Sequence, residues 1–209
     1  MKFYDCQTAP SPRRVRMFIA EKELDIATVQ VDLRNGEQLT DGFRKINPRC
    51  TVPVLELDDG TCLNDTLAIC HYLESQFPEP NLMGVDGREQ ALVMNWHEQI
   101  LTEGFMAGGE ALRNFSRGFE NRALTGPLNF KQIPELAERG RQRLEAFLEV
   151  LDQRLAGSPC VALDRFTMAD IGGYVCVDFA SWVKLPVREQ WPNIRRWFDE
   201  IALRPSASV

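Results

Sequence analysis

The feature that most constrains this chain is a change of hydrophobic period near residue 80: before it, short extended runs alternate with helical ones, and after it the pattern is helical almost throughout. Lys2 to Cys6 is a short apolar-rich run, and Pro12 followed by Val15, Phe18 and Ile19 gives helical spacing behind a proline suited to a first turn. Thr28 to Leu33 alternates Val29, Val31 and Leu33 with Thr28, Gln30 and Asp32, the two-residue period of a strand. A short helix over Gln38 to Ile46 follows. Val54 to Leu57 and Thr61 to Leu63 then flank Asp58-Asp59-Gly60, a hairpin signal. Asp65 and Thr66 precede the amphipathic run Leu67, Ile69, Cys70, Tyr72 and Leu73, which Pro78 and Pro80 end. The order is β-α-β-α-β-β-α.

Residues 81–87, rich in turn formers and polar side chains, read as a linker between a domain over 1–80 and a second over 88–209. In the second, Ala91 to Met106, Ile133 to Leu155, Ala169 to Trp182 and Asn193 to Ala202 all show helical periodicity, so it reads as all-α. Arg117 to Phe130 lacks periodicity and reads as a loop. Thr167-Met168-Ala169-Asp170 has the form of a capping box, with Thr167 at the N-cap and Asp170 in place of Glu.

Of the 209 residues 44% are hydrophobic, ample for packed cores, and a net charge of −6 argues against nucleic acid and anionic membranes as partners. No run approaches the about 18 apolar residues of a membrane span and the first residues hold no apolar signal core, so a cytoplasmic protein is expected. Six scattered cysteines without a Cys-x-x-Cys pair, with only His71 and His97 for imidazole, predict reduced thiols and no metal site.

Two clusters point to a ligand. In Asn47-Pro48-Arg49-Cys50-Thr51-Val52-Pro53-Val54-Leu55 a proline opens an apolar strand, a position that often carries a cis bond because proline cannot donate to the ladder. A cis bond would turn the Val52 backbone N–H and C=O toward solvent, where a peptide ligand can pair with them. Eleven residues later, Asn64-Asp65-Thr66 puts a carboxylate and a hydroxyl at a helix start, where backbone N–H groups favour an anion. Helix capping by Asp65 is the structural alternative, and the two roles are compatible.

Asn47-Pro48 to Leu55, the hairpin, Leu63-Asn64-Asp65-Thr66-Leu67-Ala68-Ile69 and Tyr72-Leu73 together resemble the core of the cytosolic glutathione S-transferase superfamily, and the Thr167 box resembles the start of that family's buried C-terminal helix. The resemblance implies a thioredoxin-like N-terminal domain followed by an all-helical one. It further implies glutathione as co-substrate, a homodimer, and a detoxifying transferase that conjugates the glutathione thiolate to a small hydrophobic electrophile. By position, Val52 and Pro53 would bind the cysteinyl backbone, and Asp65 and Thr66 the γ-glutamyl end. Gln38 and Lys45 would reach the glycine carboxylate. The usual acidic or amide residue followed by Ser is replaced here by a shorter Asp and a bulkier Thr.

Lowering a thiol pKa by two units requires about 2.7 kcal/mol of preferential thiolate stabilisation. The loop Cys6-Gln7-Thr8-Ala9-Pro10-Ser11-Pro12 should supply it: Ser11 at the apparent helix start is the first candidate, Thr8 the second, and Tyr4 and Cys6 sit on the strand. Ser11 as a simple N-cap is the structural alternative. Arg13 offers positive charge, and Cys50 a thiol for a mixed disulfide. Trp96, Phe105, Met106 and Phe115 are the electrophile-pocket candidates, with Gly104, Gly108 and Gly109 giving either ligand room or close helix packing. Two other functions fit the same resemblance. One is a non-catalytic protein-binding module of the stringent starvation type. The other is a glutathione-dependent peroxidase or thiol reductase, which would want a cysteine where Ala9 to Ser11 stand.

Overall fold

The computed structural model describes residues 1–185 and 190–209, which divide into two compact units. The first comprises Met1–Pro80 with Thr125–Leu128 and Val209. It runs β1 (Lys2–Asp5), α1 (Pro10–Glu21), β2 (Ala27–Gln30), a 3-10 turn (Glu37–Leu39), α2 (Asp41–Ile46), β3 (Val54–Glu56), β4 (Cys62–Leu63) and α3 (Thr66–Gln76). This is the β-α-β-α-β-β-α order of a thioredoxin-like domain. The sheet order is β2-β1-β3-β4, with β1 and β2 parallel and the other two pairings antiparallel.

Side chains alternate across this sheet. Tyr4 and Val54 join Val31 and Phe43 in a buried cluster, with Leu33, Ile46, Val52 and Cys62 packed against it. Phe3 and Leu55, fully buried, point the other way. α1 and α3 pack together, burying Val15, Met17, Phe18, Ile69 and Leu73. The second strand is shorter than its alternation suggests: its ladder ends at Gln30, and a last bond from Val31 N to Asp5 O precedes the turn. Val31 is buried while Val29 is 38% exposed on the sheet edge. Lys22 closes the unit: its buried ammonium donates to Phe77 O and Pro80 O, both at 2.7 Å, and pairs with Glu74 at 2.5 Å.

The second unit, Asn81–Leu124 and Asn129–Ser208, contains α4 (Gly87–Gln99), a π-helical stretch (Ile100–Phe105), α5 (Met106–Phe115), α6 (Pro134–Ala156), α7 (Met168–Ala180) and α8 (Pro192–Ala202). The segment read as a linker is packed, not extended. Leu82 and Met83 are buried, Leu82 O accepts from Met168 N at 2.8 Å, and Gly87 already opens α4.

The helix read as ending at Met106 continues to Phe115 through the π stretch, because its glycines serve helix packing. A Cβ on Gly104 would lie 2.6 Å from Cys176 Sγ, and one on Gly108 would lie 2.8 Å from the Phe179 ring. Of Gly104, Gly108 and Gly109, the last alone has open space beside it among the described residues. The capping box is present: buried Asp170 accepts from Thr167 N, Thr167 Oγ1, Val161 N and Trp197 Nε1, at 2.8 to 3.1 Å. Burial pushes its carboxyl up, and those four donors pull it back. Among the described residues no helix is long and apolar enough to cross a membrane.

Candidate functional site

Strand register gathers the candidate residues of the first unit at one end of its sheet. In β1 and β3 Tyr4 stands opposite Val54, so two residues further Cys6 falls opposite Val52. In β3 and β4 Leu55 stands opposite Leu63, so Pro53 falls opposite Asp65. β2 runs parallel to β1 and ends beside Asp5, which brings the turn holding Gln38 to that end as well.

The Val52–Pro53 peptide is cis. Among the described residues neither the N–H nor the C=O of Val52 makes a hydrogen bond, so a strand-like backbone edge stands unoccupied. The turn before it is held by Asn47, whose buried side-chain amide donates to Thr51 O at 2.8 Å and Thr51 Oγ1 at 3.1 Å. Cys50 lies in that turn at φ +54, only 3% exposed, with its thiol directed at Pro48 O. Burial of that kind disfavours the mixed disulfide considered for it.

Asp65 is the N-cap of α3: one carboxylate oxygen accepts from Leu67 N at 2.8 Å. The other makes no hydrogen bond among the described residues, so capping leaves an exposed acceptor beside the helix N-terminus. Thr66 is buried at the first helical position, and its hydroxyl has no hydrogen-bond partner among the described residues. Gln38 is half-buried, with no partner for its Oε1 among the described residues, and Lys45 is exposed in the last turn of α2.

The loop from β1 to α1 is set by a network that sequence patterning does not reveal. Asp5, fully buried, accepts from Arg16 Nη1 at 2.6 Å and from Gln30 Nε2 at 2.6 Å. Arg16 also donates to Cys6 O at 3.2 Å and Gln7 O at 3.0 Å, and Gln30 Oε1 accepts from Gln7 N at 2.9 Å. The only sequence trace of this is a pair of arginines flanking Val15 on a helix whose neighbouring Met17 and Phe18 are buried.

α1 begins at Pro10, not at Pro12, and its N-cap is Ala9, which offers no side-chain cap. Ser11 is therefore not an N-cap serine but the second helical residue. Pro10 and Pro12 have no N–H, which leaves Ser11 with the one N–H among the first three helical positions, and it makes no hydrogen bond among the described residues. The Ser11 hydroxyl accepts from Arg14 Nη2 at 3.3 Å. Arg14 is itself buried, 4% exposed. Thr8 is exposed, its hydroxyl 3.5 Å from Cys6 Sγ. Tyr4 is directed away: its hydroxyl donates at 2.7 Å to Glu56, which pairs with Lys2 at the far end of β1, and burial raises its pKa. The Cys70 thiol, on the buried face of α3, is pushed far up by burial.

In the second unit the four apolar candidates differ. Phe105 is core, 8% exposed and stacked on Phe179 with ring centroids 6.1 Å apart. Trp96 is half-buried and Met106 is 59% exposed. Phe115, 65% exposed at the end of α5, lines a pocket of about 420 Å³.

Residues 8–76 match the family model "Glutathione S-transferase, N-terminal domain" and residues 134–200 match "Glutathione S-transferase, C-terminal domain". Glutathione S-transferase 2 of Saccharomyces cerevisiae is 32% identical over 212 residues, covering 99% of this chain and 87% of that protein. A crystal structure of a glutathione S-transferase domain-containing protein from Marinobacter aquaeolei VT8 superposes with a TM-score of 0.90 at 35% identity, covering 99% of both chains. A glutathione S-transferase from Methylobacillus flagellatus KT, solved with GSH bound, gives 0.84 at 25% identity, covering 99% of this chain and 96% of that one. With both domain models matched in order and a whole-length relative above 30% identity, the chain belongs to the glutathione S-transferase superfamily.

Proposed function

We propose that this protein binds glutathione along the Val52–Pro53 edge and conjugates it through its thiolate sulfur to an electrophilic carbon, acting as a cytoplasmic homodimer in detoxification. The cysteinyl N–H and C=O pair with the Val52 backbone. The γ-glutamyl ammonium meets the free carboxylate oxygen of Asp65, and its carboxylate meets the Thr66 hydroxyl and the N-terminal N–H groups of α3. Gln38 and Lys45 receive the glycine carboxylate. The thiol gives its proton to solvent, and the thiolate forms a bond to carbon as a leaving group departs with its electron pair, or as a π pair shifts to the neighbouring atom and is protonated. Trp96, Met106 and Phe115 are the acceptor-side residues.

The observation that carries this reading is the first turn of α1. Two prolines leave Ser11 as the one N–H donor there, and Arg14 occupies an acceptor site of the Ser11 hydroxyl, so that the hydroxyl hydrogen is free to point at sulfur. Two donors at a helix N-terminus are of the right size for the about 2.7 kcal/mol that a two-unit thiol shift needs. Thr8, exposed and beside Cys6, is the second choice. Calorimetric titration with glutathione, together with the ultraviolet thiolate absorbance of the complex followed against pH, tests this reading. Ser11→Ala should raise the apparent thiol pKa of bound glutathione by about one to two units while leaving its affinity near wild type. No glutathione binding would sink the transferase reading; an unshifted thiol titration in Ser11→Ala would remove Ser11 alone.

A further inference from the structure

The pocket beneath Phe115 combines an apolar interior with positive charge that no ion pair among the described residues neutralises. It lies between the end of α5, the start of α6 and the turn after α7, and Ala111, Phe115, Ala137 and Val183 give it apolar walls. Its about 420 Å³ falls in the range that takes a small organic molecule. Three charged side chains stand at it: Glu138, Arg141 and Lys184, all exposed.

These charges are not equivalent. One carboxylate oxygen of Glu138 accepts from Gln142 Nε2 at 2.9 Å, and among the described residues Glu138 forms no ion pair. Arg141 has neither a hydrogen bond nor an ion pair among the described residues. Among the described residues the Lys184 ammonium reaches the face of Phe115, 5.7 Å from the ring centroid, and forms no ion pair. Among the described residues, two cations against one carboxylate give the pocket mouth a net positive charge in a chain whose net charge is −6. Elsewhere on α6, Arg139 and Arg143 are paired with Glu110. An aromatic ring left 65% exposed beside two unmatched cations is complementary to an apolar ligand with an anionic end.

We propose that the acceptor handled by this protein is an apolar molecule bearing a carboxylate, its hydrocarbon part packed on Phe115, Ala137 and Val183 and its carboxylate held by Arg141 and Lys184. Naming this occupant the acceptor rests on the transferase reading of Phe115, whereas the binding itself requires no glutathione. A Michael acceptor of this class balances simply. The thiolate forms the S–C bond at the β-carbon, the π pair moves through the α-carbon to the carbonyl as an enolate, and solvent returns a proton.

The test uses the unreactive probe 4-oxo-4-phenylbutanoate and its neutral methyl ester, titrated calorimetrically into the full chain without glutathione. The acid should bind at one site about tenfold more tightly than the ester, and added salt should shrink that preference. Arg141→Gln with Lys184→Gln should erase the preference while the ester binds as before. Ala137→Trp, which fills the pocket, should abolish binding of both probes; should it fail to fold, Val183→Trp fills the same space from the other wall. Equal affinity for acid and ester, or a preference that survives the double substitution, would overturn the proposal. The unsaturated counterpart, 4-oxo-4-phenylbut-2-enoate, is then offered with glutathione: selective probe binding without conjugation would retire the transferase reading and leave the carboxylate site standing.

Discussion

Replacing Arg16 by Met would test whether the loop ahead of α1 is held by a buried charge pair. Asp5 is fully buried and its carboxylate has two partners among the described residues, Arg16 Nη1 and Gln30 Nε2, each at 2.6 Å. Removing the guanidinium leaves a buried carboxylate with one neutral donor, and breaking a buried pair from one side costs about 3–5 kcal/mol. The same change frees Cys6 O and Gln7 O, which Arg16 also binds. Asp5→Asn keeps the shape, removes the charge and should cost about 1–2 kcal/mol. In the double variant no uncompensated charge remains, so its loss should fall short of the sum of the singles by about 2 kcal/mol or more. Urea unfolding followed by far-ultraviolet circular dichroism gives all four corners of this cycle. Tryptophan fluorescence is the control, since Trp96, Trp182, Trp191 and Trp197 all lie in the second unit. An Arg16→Met variant within about 1 kcal/mol of wild type, or strict additivity in the double variant, would refute a buried pair as the anchor of this loop.

Two further outcomes follow from the second unit. Arg165 and the Val85 N–H hold the Glu89 carboxyl at about 2, below its ordinary value, so its stabilisation is complete above the unfolded-state pKa and is lost as pH falls toward about 2. Thermal melts across that acid range should show the decline, and Glu89→Gln should flatten it; an unchanged acid limb would count against the pair. Gly108→Ala sets a Cβ 2.8 Å from the Phe179 ring, itself wedged against Phe105 and Trp182, so an overpacking cost of about 1–3 kcal/mol outweighs the about 1 kcal/mol of helix propensity gained. Gly109→Ala meets no neighbour and should stabilise by about 0.5–1 kcal/mol, so chemical denaturation giving both variants the same sign would contradict the packing described.

What was legible in the sequence is what local chemistry determines. Pro53 at a strand start and Asp65 at a helix start announce themselves because each obeys a rule about its own backbone, and the register of β3 against β4 then sets them opposite each other. The capping box of Thr167 and Asp170 was legible for the same reason, whereas the indole of Trp197 that completes Asp170's shell, 27 residues away, was not. The residues ahead of α1 show the limit most sharply. Helical spacing makes Val15 and Phe18 core positions but says nothing of which buried carboxylate will receive Arg16, because Asp5 is brought there by the pairing of β1 with β2 and β3. The same spacing suggested a helix at Pro12, since one proline at a helix start looks like another. Only with Ala9 identified as the N-cap does the pattern Pro10-Ser11-Pro12 acquire a chemical sense, as two removed donors around one retained. The prolines remove donors that would otherwise need partners, and the one N–H they leave has no side-chain cap to meet it, so a thiolate placed there would satisfy it.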